Sequence, residues 1–154
     1  VAQKIMYNNL KTIGGINYNR REMKFANEIY KTLRNPSLDL ESAGEVQPYG
    51  FRKGKGSTDV GDVSWMVPTA RLRIATWVPG TSAHTWQAVS AGGMSIGMKG
   101  MVNAAKVIAG AAFDLYNDPE TIKNAKKELI ERRGPEFNYY SLLGERDPPL
   151  DYRK

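Results

Sequence analysis

The sequence predicts an α/β fold, a sheet flanked by helices. Three observations lead there: helical periodicity at both ends of the chain, one clean alternating stretch in the middle, and a long helix apolar on almost every side, which needs a sheet to bury it. Because the strands on offer are few for so apolar a helix, the chain reads as an incomplete part of a sheet-centred domain.

Taken in order, Val1 to Ile13 sets Ile5, Leu10 and Ile13 near helical spacing, and Gly14-Gly15 stops it. Asn19 is a helix cap with Glu22 three positions later, the reciprocal arrangement that satisfies free amides at a helix start. Met23, Phe25, Ala26, Ile29, Tyr30 and Leu33 give this second helix its buried face, and Asn35-Pro36 ends it, since the residue before proline avoids the α region. Residues 36–56 carry no period and read as a long loop or a short irregular excursion. The strand region follows: Val60 to Met66 alternates poorly, whereas Leu72, Ile74, Thr76 and Val78 alternate with Arg71, Arg73, Ala75 and Trp77 until Pro79-Gly80. From Met94 to Tyr116 small and apolar residues are nearly continuous, which predicts a helix packed deep in a larger body. Asp118-Pro119 opens a last, charged helix ending at Gly134, and the Tyr- and Pro-rich tail from Pro135 to Lys154 reads as extended.

Composition bounds the function. The chain of 154 residues is 41% hydrophobic and 25% charged, a globular balance in one domain's length. It has no cysteine, which removes disulfides, thiolate metal sites and thiol nucleophiles, and is compatible with a reducing cytoplasm. No apolar run approaches a membrane span and no leader pattern stands at the start, so a soluble chain without membrane partners is expected. Lys and Arg number 22 against 16 Asp and Glu, but they are dispersed, and the only dense cluster is Arg52, Lys53 and Lys55; solvated surface charge is the reading, and nucleic acid is not an expected partner.

The segment from Gly56 to Gln87 holds the chemistry. It contains the one histidine, His84, in a turn after the Pro79-Gly80 corner. Taken alone, a loop histidine at the surface or capping the next helix is the ordinary interpretation. No serine sits in a nucleophile elbow, and no carboxylate pair is singled out for glycoside cleavage. Gly92-Gly93 and Gly97-Met98-Lys99-Gly100 lack phosphate-loop spacing and read as helix packing. Trp65, Trp77 and Trp86 are expected as core aromatics, Trp86 also shaping a cleft beside His84, and Met94, Met98 and Met101 as packing residues.

Gly56-Ser57-Thr58-Asp59-Val60-Gly61-Asp62-Val63-Ser64-Trp65, Pro68-Thr69, Pro79-Gly80-Thr81, His84-Thr85-Trp86-Gln87 and Ser95-Ile96-Gly97-Met98-Lys99-Gly100-Met101 succeed one another in an order that resembles the C-terminal part of metal-dependent amidohydrolases of the aminoacylase and carboxypeptidase type, most nearly the p-aminobenzoyl-glutamate hydrolase branch. The resemblance spans almost the whole chain. It implies that residues 1–154 are the C-terminal portion of a three-layer α/β/α zinc-peptidase-like catalytic domain, without its N-terminal half and inserted lid or dimerisation domain. It further implies two divalent ions, zinc or manganese, with His84 as the metal ligand contributed from this half; none would bind tightly to this chain alone, and no catalytic residue proper lies within it. Gly56, Thr58 and Asp59 would border the substrate cleft, where an Asx-turn or cap is the competing role for Asp59 and Asp62 is structural. The implied substrate is a small N-acyl or aminobenzoyl amino acid amide. The implied partners are the missing half of the enzyme and further copies in a homo-oligomer. A non-catalytic truncated or assembly module is the alternative. Either way, an uncovered apolar face predicts self-association.

Overall fold

A computed structural model describes residues 1–51, 56 and 58–151. Among these residues six α-helices follow one another: α1 (Ala2–Ile13), α2 (Arg20–Tyr30), α3 (Val60–Met66), α4 (Trp86–Gly92), α5 (Ser95–Asn117) and α6 (Pro119–Arg133), with a short 3₁₀ turn at Glu41–Gly44.

Local signals place most helix ends. Asn19 caps α2 through a reciprocal pair: its Oδ1 accepts from the Glu22 amide at 2.9 Å, and the Glu22 carboxylate accepts from the Asn19 amide at 2.8 Å. Asp118 Oδ1 accepts from the amides of Glu120 and Thr121, with Pro119 in the first turn of α6. Gly14 and Gly134, with φ of 82° and 87°, end α1 and α6 in a backbone region that L side chains avoid.

The long helix α5 organises the rest. The Asn9 amide of α1 donates to Asp114 at 2.6 Å, and the Asn103 amide donates to the carbonyl of Gly14 at 2.9 Å, so α1 lies antiparallel along α5. Gly100 is where the chain crosses α5: a Cβ there would lie 2.7 Å from the Ala75 carbonyl oxygen. At its N-terminal end α5 joins the main core, where Ile96 packs with Ala26 and Ile29 of α2, Ala91 of α4, and Leu40 and Val78 from the connecting segments.

The α/β expectation, and with it the three-layer α/β/α arrangement, is corrected: among the described residues there is no strand and no sheet, and the fold is all-helical. A strand is defined by the ladder it joins, and alternation alone supplies none. Along residues 71–74 burial does alternate, with Arg71 and Arg73 exposed and Leu72 and Ile74 partly covered. The backbone there is met by a side chain. The Gln3 amide donates to the Arg71 carbonyl and accepts from the Arg71 N–H, both at 2.8 Å, the same two bonds a neighbouring strand would exchange. Val60 to Met66, assigned to the strand region, is helix α3.

The deep burial expected for α5 is also corrected. Ile96 and Val107 are fully buried, but Met98, Met101, Ile108 and Phe113 are each more than half exposed. Of the expected core tryptophans, Trp77 packs against the core, whereas Trp65 and Trp86 are exposed; Met94, like Met98 and Met101, faces solvent. The basic cluster Arg52, Lys53 and Lys55 lies outside the described residues. Among those described, no helix is long and apolar enough to cross a membrane.

Candidate functional site

His84 stands in the turn between the core segment ending at Val78-Pro79 and helix α4. Val78 is buried and its carbonyl accepts from the Thr81 N–H at 3.1 Å, while Gly80, at φ 84°, turns the chain so closely past Pro36 that a Cβ would lie 2.6 Å from the proline ring. Thr85 then caps α4: its hydroxyl donates to the Ser82 carbonyl at 2.9 Å and accepts from the Ala88 N–H at 3.3 Å. Gln87 reaches across to the Thr32 hydroxyl at the end of α2, at 3.3 Å.

Between these fixed points His84 is exposed and takes φ 60°, the left-handed region. That conformation costs an L-residue about 1–2 kcal/mol relative to the right-handed region. Non-glycine residues kept in such conformations concentrate at functional sites, because the surrounding structure must enforce them. The turn that carries it is bounded by the Gly80 corner on one side and the Thr85 cap on the other.

The remaining predicted residues lie on the loop entering α3. Thr58 Oγ1 accepts from the Val60 N–H at 3.3 Å, and the Thr58 carbonyl accepts from the Gly61 N–H. Asp59 holds the N-cap position of α3, but its side chain makes no capping bond, so the cap role is not the one it plays here. Gly56, Thr58 and Asp59 are all exposed, and space around Gly56 is open; Ser57 lies outside the described residues. Nothing in the described hydrogen bonds or ion pairs connects these residues to His84.

A bimetallic centre needs several histidine and carboxylate donors converging on one point. Among the described residues no group of three such side chains is placed to hold a metal ion. The described residues therefore do not make up such a centre, and no step through a metal is derived from them.

A second cluster escaped sequence reasoning. Glu22 is 4% exposed, the one buried charged side chain in the described core. Its carboxylate accepts from Lys99 Nζ at 2.6 Å, from Ser95 Oγ at 2.7 Å and from the Asn19 amide, and Lys99 also donates to the Asn17 carbonyl. Burial pushes the Glu22 carboxyl up, but these hydrogen bonds and the lysine charge outweigh it and hold it at about 2. Tyr18 nearby is pushed up to about 12 by burial and by the Glu22 charge. An open groove of about 810 Å³ lies against the cluster, floored by Phe25, Ile96 and Met94. The capping motif disclosed only half of Glu22. The other half was written in α5, where Ser95 and Lys99, four residues apart, are polar exceptions on one face of an apolar helix.

No protein-family profile matches the chain, and no solved structure matches it. A curated hydrolase does. The chain is 34% identical, over 151 aligned positions, to a p-aminobenzoyl-glutamate hydrolase subunit of Escherichia coli strain K12, and the alignment covers 82% of this chain and 31% of that protein. The chain thus spans about a third of the length of the relative it matches.

Proposed function

We propose that this chain is the C-terminal portion of a metal-dependent amidohydrolase that cleaves an amide bond of an N-acyl or aminobenzoyl amino acid, with His84 as its contribution to the metal centre. The similarity to a named aminobenzoyl-glutamate hydrolase over most of the chain is the observation that carries this reading. The exposed, backbone-strained His84 supports it locally, since an imidazole held outward can give one nitrogen to an ion and the other to an orienting acceptor.

A bound divalent ion would polarise the amide carbonyl and make a water nucleophilic near neutral pH. The chain's own part is to present His84 from a turn fixed at both ends, and to offer the Gly56 to Asp59 loop, exposed and with Asp59 free of a capping bond, for contact with substrate. The remaining donors and the general base come from polypeptide beyond the present sequence, so the chain by itself is inactive.

The test joins the chain to the remainder of the hydrolase and measures bound metal and hydrolysis of p-aminobenzoyl-glutamate. We expect both to appear on joining, and His84→Ala to remove at least one equivalent of metal and to lower hydrolysis more than 100-fold. Metal content and hydrolysis unchanged by His84→Ala would overturn the assignment.

A further inference from the structure

We propose that Glu22, Ser95 and Lys99 are positioning residues for His84, a polar lock that fixes α2 against α4 and α5 and thereby holds the histidine turn between them. This rests on the hydrolase reading only for its consequence, the placement of a metal donor; the mechanical coupling is a property of the chain itself.

The His84 turn belongs to neither body alone. On one side its Gly80 passes so close to Pro36, in the turns that follow α2, that a Cβ would lie 2.6 Å from the proline ring. On the other side it runs directly into α4 through the Thr85 cap, and α4 is docked on α5 so closely that a Cβ on Gly97 would collide with the Gly92 backbone. A slide of α2 relative to the α4 and α5 pair therefore loads the segment between Gly80 and α4, where His84 already occupies a strained conformation, as well as the 3.3 Å bond from Gln87 of α4 to Thr32.

The shared core does not by itself prevent such a slide. Its contacts are Ala26, Ile29, Leu40, Val78, Ala91 and Ile96, small or aliphatic surfaces that repack with little directionality. The Glu22 cluster is directional. One carboxylate accepts from three separate donors, one on its own helix cap and two from successive turns of α5, at 2.6–2.8 Å. With Glu22 buried and Lys99 partly exposed, a pair of this kind adds modest net stability, and the best-attested use of such polar contacts in a core is to select one register. Displacing α5 by one turn would leave the carboxylate buried and unpaired, which is strongly unfavourable.

The presence of a single histidine makes the test direct, because the imidazole CH protons of His84 are the only such pair in the spectrum of the chain. The double variant Glu22→Leu with Lys99→Met removes the lock while keeping an apolar fill, with Lys126→Met on the exposed side of α6 as the charge control. In the unaltered chain and the control, one sharp imidazole pair is expected. In the double variant, helix content by circular dichroism stays the same while the His84 pair shifts and broadens or splits, and in the joined hydrolase zinc affinity falls by about 10- to 100-fold, the scale of an outer-shell loss. A folded double variant with an unchanged His84 pair overturns the proposal. Should the double variant not fold, Ser95→Ala, which removes one of the three donors, decides it: a shifted His84 pair supports the lock and an unchanged pair refutes it. Failure of the hydrolase reading shows separately, as metal content insensitive to His84→Ala, and leaves the ring measurement intact.

Discussion

At the scale of single residues, backbone and charge make opposite demands at the two candidate sites. His84 is placed by a conformation that favours glycine, so side-chain loss and backbone relief separate experimentally. His84→Ala removes the ring and keeps the strain, whereas His84→Gly removes both, and we expect the glycine variant to be more stable than the alanine variant by about 1 kcal/mol in urea unfolding. Equal stability would mean that residue 84 is not held left-handed. Glu22 presents the electrostatic case. Its folded-state carboxyl, at about 2, lies below the ordinary value of 4.5, so its contribution is present above pH 4.5 and is lost as pH falls from there through about 2. Glu28 and Asp118 are also held below the usual range, chiefly by hydrogen bonds with Lys31 and Thr121 respectively, and they add to the acid slope. The part due to Glu22 is isolated by comparing Glu22→Gln with the unaltered chain between pH 5 and pH 2: the stability difference should shrink steadily as the pH falls, and a constant difference would exclude the lock as its source.

At the scale of elements, close backbone approach decides what a helix tolerates. Replacing glycine by alanine inside a helix ordinarily gains roughly 0.5–1 kcal/mol. At Gly61 in α3 no atom stands within 4 Å of a new Cβ, and Gly61→Ala should show that gain. At Gly100 the same change meets Ala75 and Thr76 at 2.7 Å, and we expect a loss of about 1–3 kcal/mol by thermal or urea unfolding. The contrast explains what could be read beforehand. Capping and stop signals are local chemistry, so Asn19 with Glu22, Asp118 with Pro119, and Gly134 located the starts of α2 and α6 and the end of α6 from sequence alone. Residues 72–78 read as a strand because alternation reports only which side chains are covered; here the segment passes α5 with Ala75 and Thr76 against Gly100, and the Gln3 amide takes up both backbone bonds of Arg71 just before it. Val60 to Met66 is too short a stretch for a helical period to declare itself against a strand. Of the candidate site, His84 and its turn were legible because histidine is unique in the chain and glycine and proline mark the corner. The partnership of Glu22 with Ser95 and Lys99 spans more than 70 residues and became visible only when α2 met α5.

At the scale of the whole molecule, one face of α5 sets the behaviour of the chain in solution. Met98, Met101, Val102, Ile108 and Phe113 recur at helical spacing, and Phe113 is 69% exposed, so the opposite side from α1 presents an uninterrupted apolar stripe. Stripes of this kind, beyond a few hundred Å², mark surfaces that are covered in the working protein. Charge repulsion does not keep copies apart there, since Lys99 and Lys106 are the only cations on the helix and Asp114 the only anion. We therefore expect the chain alone to self-associate at micromolar concentration, seen as a rising sedimentation coefficient with loading. Met101→Glu with Ile108→Glu should return it to a monomer with little change in its thermal midpoint, because both side chains are more than half exposed. A chain that remains monomeric at every concentration would show that the stripe does not drive self-association. The same double variant separates self-association from assembly: if the stripe is the seat for the remainder of the proposed hydrolase, the variant will stay monomeric, keep its fold and fail to give the metal binding expected of the joined protein.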